Sequence, residues 1–148
     1  MPRSSRSFLF PDINVWIALT YRGHTHYVMA KTWLESLSDD DELCFCRFTQ
    51  FGFLRLLTNS SVMGKQLCSQ TEAWTTYDEW IDSGHAIYVE EPLSLEQVFR
   101  TSSRSRQAAP KDWADVYLAA FAQSSGFRLV TFDQSLARKI PDSILLSS

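Results

Sequence analysis

Apolar positions along the chain follow two rhythms. Short, nearly continuous runs at 8–10, 42–46, 86–89 and 128–131 read as buried strands. Between them, apolar residues recur at helical spacing. Ala30, Trp33, Leu34 and Leu37 mark a helix over 27–38; Phe53, Leu56 and Leu57 mark one over 49–59. Ala73, Tyr77, Trp80 and Ile81 share one face of a helix over 70–83 that Gly84 stops. A helix over 93–101 is expected to be capped by Ser94. The strongest stripe, Trp113, Val116, Tyr117, Ala120 and Phe121, follows Pro110 and closes at Gly126. A helix starting near Val15 and a short one over 134–139 complete the helices, with loops at 60–69 and 101–109 and a last apolar run at 144–146. Strands alternating with helices imply an α/β chain: a three-layer α/β/α sandwich on a mainly parallel central sheet. No repeat or linker divides residues 1–148, which read as one domain.

Composition narrows the class. A hydrophobic content of 45% and a charged content of 21% are those of a globular protein. The formal net charge of −3 gives no general attraction to phosphate backbones, so any nucleic-acid contact must rest on local basic patches. No apolar run approaches the roughly 20 residues of a membrane span, and Phe8–Phe10 is too short for an export signal. Three cysteines argue against a disulfide framework and for a reducing cytoplasm.

The chemistry lies in the acids. Asp12 follows the first strand and Asp133 the fourth, while Asp112 and Asp115 stand in the first turn of the strongest helix. If strands one and four are neighbours, these carboxylates meet in the crevice where open α/β sheets bind ligands. A pair at ~4 Å costs about 4 kcal/mol at an effective dielectric of 20. A hard cation, Mg²⁺ or Mn²⁺, would relieve that repulsion, activate a water and neutralise a phosphodiester. Each acid has a plainer reading too. Asp12 and Asp133 can cap the helices that follow them. Asp112 with Asp115 three residues on resembles a capping pair, and for Asp112 the cap outweighs the ligand. Taken together, at strand ends and one helix start, they favour a metal site.

Four segments carry a family resemblance: Pro11-Asp12-Ile13-Asn14-Val15-Trp16-Ile17-Ala18, 48–59, 113–122, and Leu129-Val130-Thr131-Phe132-Asp133. In that order and spacing the chain resembles a PIN domain, specifically the VapC-like ribonuclease toxins of bacterial toxin–antitoxin pairs. The resemblance implies an endoribonuclease dependent on Mg²⁺ (or Mn²⁺) that leaves a 5′-phosphate and a 3′-hydroxyl. Asp12, Asp115 and Asp133 match the first, third and fourth acids of the family and would bind the metal. Asn14 and Thr131 would hold those carboxylates by hydrogen bonds. The second acid is a departure: Gly52 stands at its position, with Gln50 two residues earlier as a neutral ligand or water-positioning group. Arg55, Arg104, Arg106 and Lys111 are candidates for the RNA backbone. The resemblance further implies a homodimer and a cognate antitoxin whose peptide crosses the acidic site.

Other readings fare less well. Cys44 and Cys46 point the same way on one strand, but with His24 and His26 they match no zinc spacing and read as small buried hydrophobes. The histidines read as a polar helix start, and Trp74, Tyr77 and Trp80 as a core or partner stripe rather than a base-stacking platform. A haloacid-dehalogenase-like phosphatase wants a second acid where Asn14 stands, and a response-regulator receiver wants paired early acids. The rival of a different class is a PIN domain that binds RNA or a partner without cutting, which Gly52 supports.

Overall fold

Alternation along each strand assigns the two faces of the sheet. Leu9, Leu43, Phe45 and Val130 face one way; Phe10, Cys44, Cys46 and Leu129 face the other. Both sets are buried, so the strands read as unbroken apolar runs. The computed structural model describes residues 6–147. Residues 1–5, on which part of the export-signal reading rests, lie outside the described residues.

In chain order the elements are β1 (Ser7–Pro11), α1 (Ile13–Thr20), α2 (Tyr27–Glu35), β2 (Asp41–Phe45) and α3 (Arg47–Leu57), then α4 (Ser60–Met63), α5 (Gln70–Asp82) and β3 (Ala86–Tyr88). The second half holds α6 (Leu95–Ser102), α7 (Trp113–Ser125), β4 (Arg128–Thr131), α8 (Gln134–Lys139) and β5 (Ile144–Leu145). All five strands pair in parallel, in the order β3-β2-β1-β4-β5. The expected neighbours β1 and β4 are paired from Leu9↔Arg128 to Pro11↔Val130. Chain order reverses there, since β2 lies on one side of β1 and β4 on the other.

Helices α1, α2, α3 and α5 cover one face through Trp16, Ala30, Phe53 and Tyr77; α6, α7 and α8 cover the other through Leu95, Phe121 and Leu136. The first face is built on aromatic stacking. Trp16 stacks on Phe45 with ring centroids 3.7 Å apart, Trp80 meets it edge-on, and Trp80 Nε1 donates to Thr20 Oγ1 at 3.0 Å. Tyr77 and Trp80 are therefore core residues, and only Trp74 of that stripe is exposed. Cys44 and Cys46 are buried thiols as expected, and burial pushes the Cys44 thiol up to about 12.

Several local expectations are corrected. The 60–69 stretch holds α4 and a 3₁₀ turn, because the Asn59 side chain accepts from Ser61 N and starts a helical turn. The 144–146 run supplies β5, an edge strand. Ser94 makes no side-chain cap bond, and neither does Asp112, because both already have helical backbone angles. A side chain caps from an extended residue, which frees it to reach back over the next N–H groups.

Gly52 is where α3 meets α1. A Cβ there would lie 2.2 Å from Ile13 Cδ1 and 2.7 Å from its Cγ1. Ile13 is β-branched and stiff, so Gly52→Ala should lower the melting temperature despite alanine's better helix propensity. Chemical denaturation of Gly52→Ala, Ile13→Ala and the double variant should show coupling of about 1–2 kcal/mol. Additive effects would refute the close contact.

Candidate functional site

The sheet delivers its acids to one edge. Asp12 follows β1 directly, its backbone N–H donating to Val130 O at 3.0 Å, so the β1–β4 ladder fixes its backbone. Its side chain is 7% exposed and fully engaged. Oδ1 accepts from Val15 N at 3.1 Å, capping α1, and Oδ2 accepts from the Thr131 hydroxyl. Thr131 Oγ1 in turn accepts from Asp133 N at 3.0 Å. One hydroxyl thus ties the two strand-end acids together.

Asp133 is exposed, and its Oδ1 caps α8 through Ser135 N at 2.8 Å and Leu136 N at 3.3 Å. The capping readings of Asp12 and Asp133 therefore hold alongside any functional one. Asp115 lies in the first turn of α7, half-buried.

The electrostatics link the three. Burial pushes the Asp12 carboxyl above its ordinary range; Thr131 and the Val15 and Asn14 N–H groups pull against it, and the charge of Asp133 adds to the rise. Burial also raises Asp115, with Lys139 opposing and Asp133 and Asp112 adding. Asp133 is close enough to act on both. Among the described residues none of these acids has an ion-pair partner within 4.0 Å.

The donor chemistry, all carboxylate oxygen around a desolvated negative charge, fits a hard divalent cation. Among the described residues, however, no three His, Cys, Asp or Glu side chains are gathered closely enough to form a ready metal cage. The acids are linked through the charge of Asp133 without being gathered into one cage. A groove of about 820 Å³, lined by Tyr21, Arg22, Leu57, Lys65 and Glu79, includes none of these acids.

The remaining predicted residues divide. Thr131 holds Asp12 as expected. Asn14 contributes its backbone N–H instead of its exposed side chain, because as a first-turn helical residue it turns outward and offers an orphan amide. Gln50 is not at the acids. Its Oε1 accepts from Arg47, whose guanidinium lies 4.8 Å over the Tyr88 ring, and its side chain also bonds Tyr77. Two residues along a helix is a turn of roughly 200°, so Gln50 points away from the side where Gly52 meets Ile13. Asp112 is exposed near Asp115. Arg55, Arg104, Arg106 and Lys111 are all exposed, without ion-pair partners among the described residues. Lys139 was missed in the sequence. It stands in the last turn of the helix that Asp133 caps, which puts a cation beside Asp115.

Comparison with known proteins bears on the family and the fold. The PIN domain family pattern matches residues 9–140. The chain is 38% identical over 134 residues to Ribonuclease VapC41 of Mycobacterium tuberculosis, covering 88% of this chain and 92% of that protein. Among solved structures, VapC20 of M. tuberculosis, described as a sarcin-ricin loop cleaving toxin, superposes with a TM-score of 0.60 at 15% identity, over 88% of this chain and 94% of that one. VapBC2 from Rickettsia felis, solved on a DNA fragment from its promoter, gives 0.64 at 12% identity, over 93% and 96%.

Burial makes a definite prediction for stability without divalent cations. The folded state holds the Asp12 proton more tightly than the unfolded chain. The stability contributed at this position therefore falls as pH rises from the ordinary value of 3.8 through the raised one. Asp12→Asn keeps an acceptor for Val15 N and removes the charge. In EDTA at neutral pH it should be at least as stable as the wild type in urea titrations and lose that component of the pH dependence. A variant clearly less stable than wild type in EDTA would refute the buried-charge account.

Proposed function

The chain belongs to the PIN-domain family, and from that premise we propose that it is a divalent-metal-dependent endoribonuclease, the toxin of a toxin–antitoxin pair. The carrying observation is the Asp12–Thr131–Asp133 connection at the β1–β4 switch point, with Asp115 reaching the same field from α7. The residues are proposed to act as one nuclease domain over 1–148, in the cytoplasm, on single-stranded or looped RNA. The similarity to Ribonuclease VapC41 supports RNA as substrate, and the likeness to a VapBC pair supports a cognate antitoxin as partner.

Asp12, Asp115 and Asp133 would hold Mg²⁺ or Mn²⁺. The bound ion supplies Lewis acidity to a water and charge neutralisation at the phosphodiester. The protein's own part is preorganisation. Asp12 is fixed by Val15 N and Thr131, so one of the ligands enters with its rotamer already set. Asp133 is oriented by its cap bonds, and its Oδ2 takes no part in them. Asp115 supplies a carboxylate from α7. Lys139, beside Asp115, is placed to draw a phosphate toward the acids, and Arg55, Arg104, Arg106 and Lys111 give exposed positive charge for the rest of the backbone. Homodimer formation follows the family resemblance and has the exposed Phe51 and Trp74 as candidate apolar contacts.

A second reading, RNA or partner binding without cleavage, has one observation in its favour. Ile13 fills the space at Gly52 where a second acid would stand. Incubating the purified chain with RNA in Mg²⁺ or Mn²⁺, with an EDTA control, separates the two. The nuclease reading expects cleavage that EDTA and Asp115→Asn abolish. Binding with no cleavage in either metal would establish the second reading.

Thr131→Val removes the hydroxyl that serves both acids. It should cost about 1–3 kcal/mol of stability and lower cleavage by roughly 10- to 100-fold, with Thr131→Ser recovering most of both. In thermal scans, Mg²⁺ or Mn²⁺ should raise the wild-type midpoint and leave Asp12→Asn unmoved. An equal rise in Asp12→Asn would remove Asp12 from the ligand set.

A further inference from the structure

Phe132 stands between Thr131, which holds Asp12, and Asp133. Phe132 lies at the bend that follows β4, and its ring meets the loop joining α1 to α2. The His26 ring lies 4.7 Å from the Phe132 ring, tilted by 33°. His24 lies nearly parallel to Phe132, at 16° and 6.5 Å, and 5.8 Å from His26. All three rings are half-buried and cluster together, and Phe132 ties the cluster to Asp133, the next residue in the chain.

The cluster is held rigidly. His26 N donates to His24 Nδ1 at 3.0 Å, which makes Nδ1 the acceptor and leaves Nε2 as the N–H donor of the neutral ring. His24 N donates to Tyr21 O and Tyr27 N to His24 O, each at 3.0 Å, closing the loop around the pair. Among the described residues neither imidazole forms an ion pair. Burial and the neighbouring His26 also hold His24 toward its neutral form, which suits a base better than a phosphate.

We infer that the His24–His26–Phe132 cluster is a nucleobase subsite, stacking the base of a nucleotide beside the scissile phosphate while His24 Nε2–H donates to that base's edge. The subsite rests on the ribonuclease reading above and deepens it: the acids act on the phosphate, and this cluster selects what flanks it. Bases stack on aromatic side chains through their π-faces, and the fixed donor adds discrimination among them.

Cleavage kinetics in Mn²⁺ on a fluorescent single-stranded RNA, with single abasic nucleotides placed in turn around the mapped cut, test this. In the wild type, one flanking abasic position should lower kcat/KM by roughly 5- to 100-fold, mainly through KM. The penalty should shrink below about twofold in His26→Ala and return in His26→Phe, which restores the ring. His24→Phe should keep the stacking penalty and change which base is preferred at that position. A wild type indifferent to every flanking abasic site overturns the subsite while leaving the nuclease standing. So does a penalty that survives in a folded His26→Ala. Absence of any cleavage by the wild type sinks the nuclease reading, and the subsite with it.

Discussion

One hydroxyl organises the carboxyl edge of the sheet. Thr131 donates to Asp12 and accepts from Asp133 N, so β1, β4 and the start of α8 are joined through a single oxygen. The Asp12 carboxylate is expensive to bury, and the N–H groups of Val15 and Asn14 offset only part of that cost against the nearby Asp133. A fold selected for stability alone would place an asparagine or serine at such a cap. Keeping a desolvated acid next to another acid makes sense where a cation completes the charge balance. Local rules of stability are typically broken at functional sites for this reason.

The acids arrive from different layers. Asp12 and Asp133 come from the sheet, and Asp115 comes from a helix on the face covered by α6, α7 and α8. The β1–β4 pairing makes their meeting possible, and that pairing was legible in the sequence. Unbroken apolar runs separated by helical stripes imply a parallel sheet, and an acid directly after each of two strands marks the edge where they end. The strands and most helices were therefore readable within a few residues. The short edge strand β5 and the turn of α4 were not, since two to four residues carry too little periodicity to declare themselves.

Side-chain direction was the harder part. Asn14 and Gln50 have the right chemistry and sit near the right elements, yet only backbone angle and helical phase decide where they point. Asn14 offers an amide, and Gln50 is turned into the Arg47, Tyr77 and Tyr88 group. Asp112 reads as a cap by spacing, but the 3₁₀ turn from Pro110 gives it helical angles and no reach back. The histidines were visible only as a pair two apart. Their neighbour Phe132 is more than a hundred positions away, so the loop-to-strand contact that gives them meaning has no local signature.

Gly52 is first of all a packing position. Ile13 follows Asp12 immediately, and its side chain occupies the space that a Cβ at residue 52 would enter. A glutamate there would have to displace Ile13 from between α1 and α3, next to the buried carboxylate. The glycine therefore lets α1 and α3 approach closely. Gln50, two residues earlier, is engaged on its own side of the helix, where Arg47 holds its oxygen. The order of Asp12, next to Ile13, then rests on Thr131 and the first N–H groups of α1, which returns the burden to the hydroxyl.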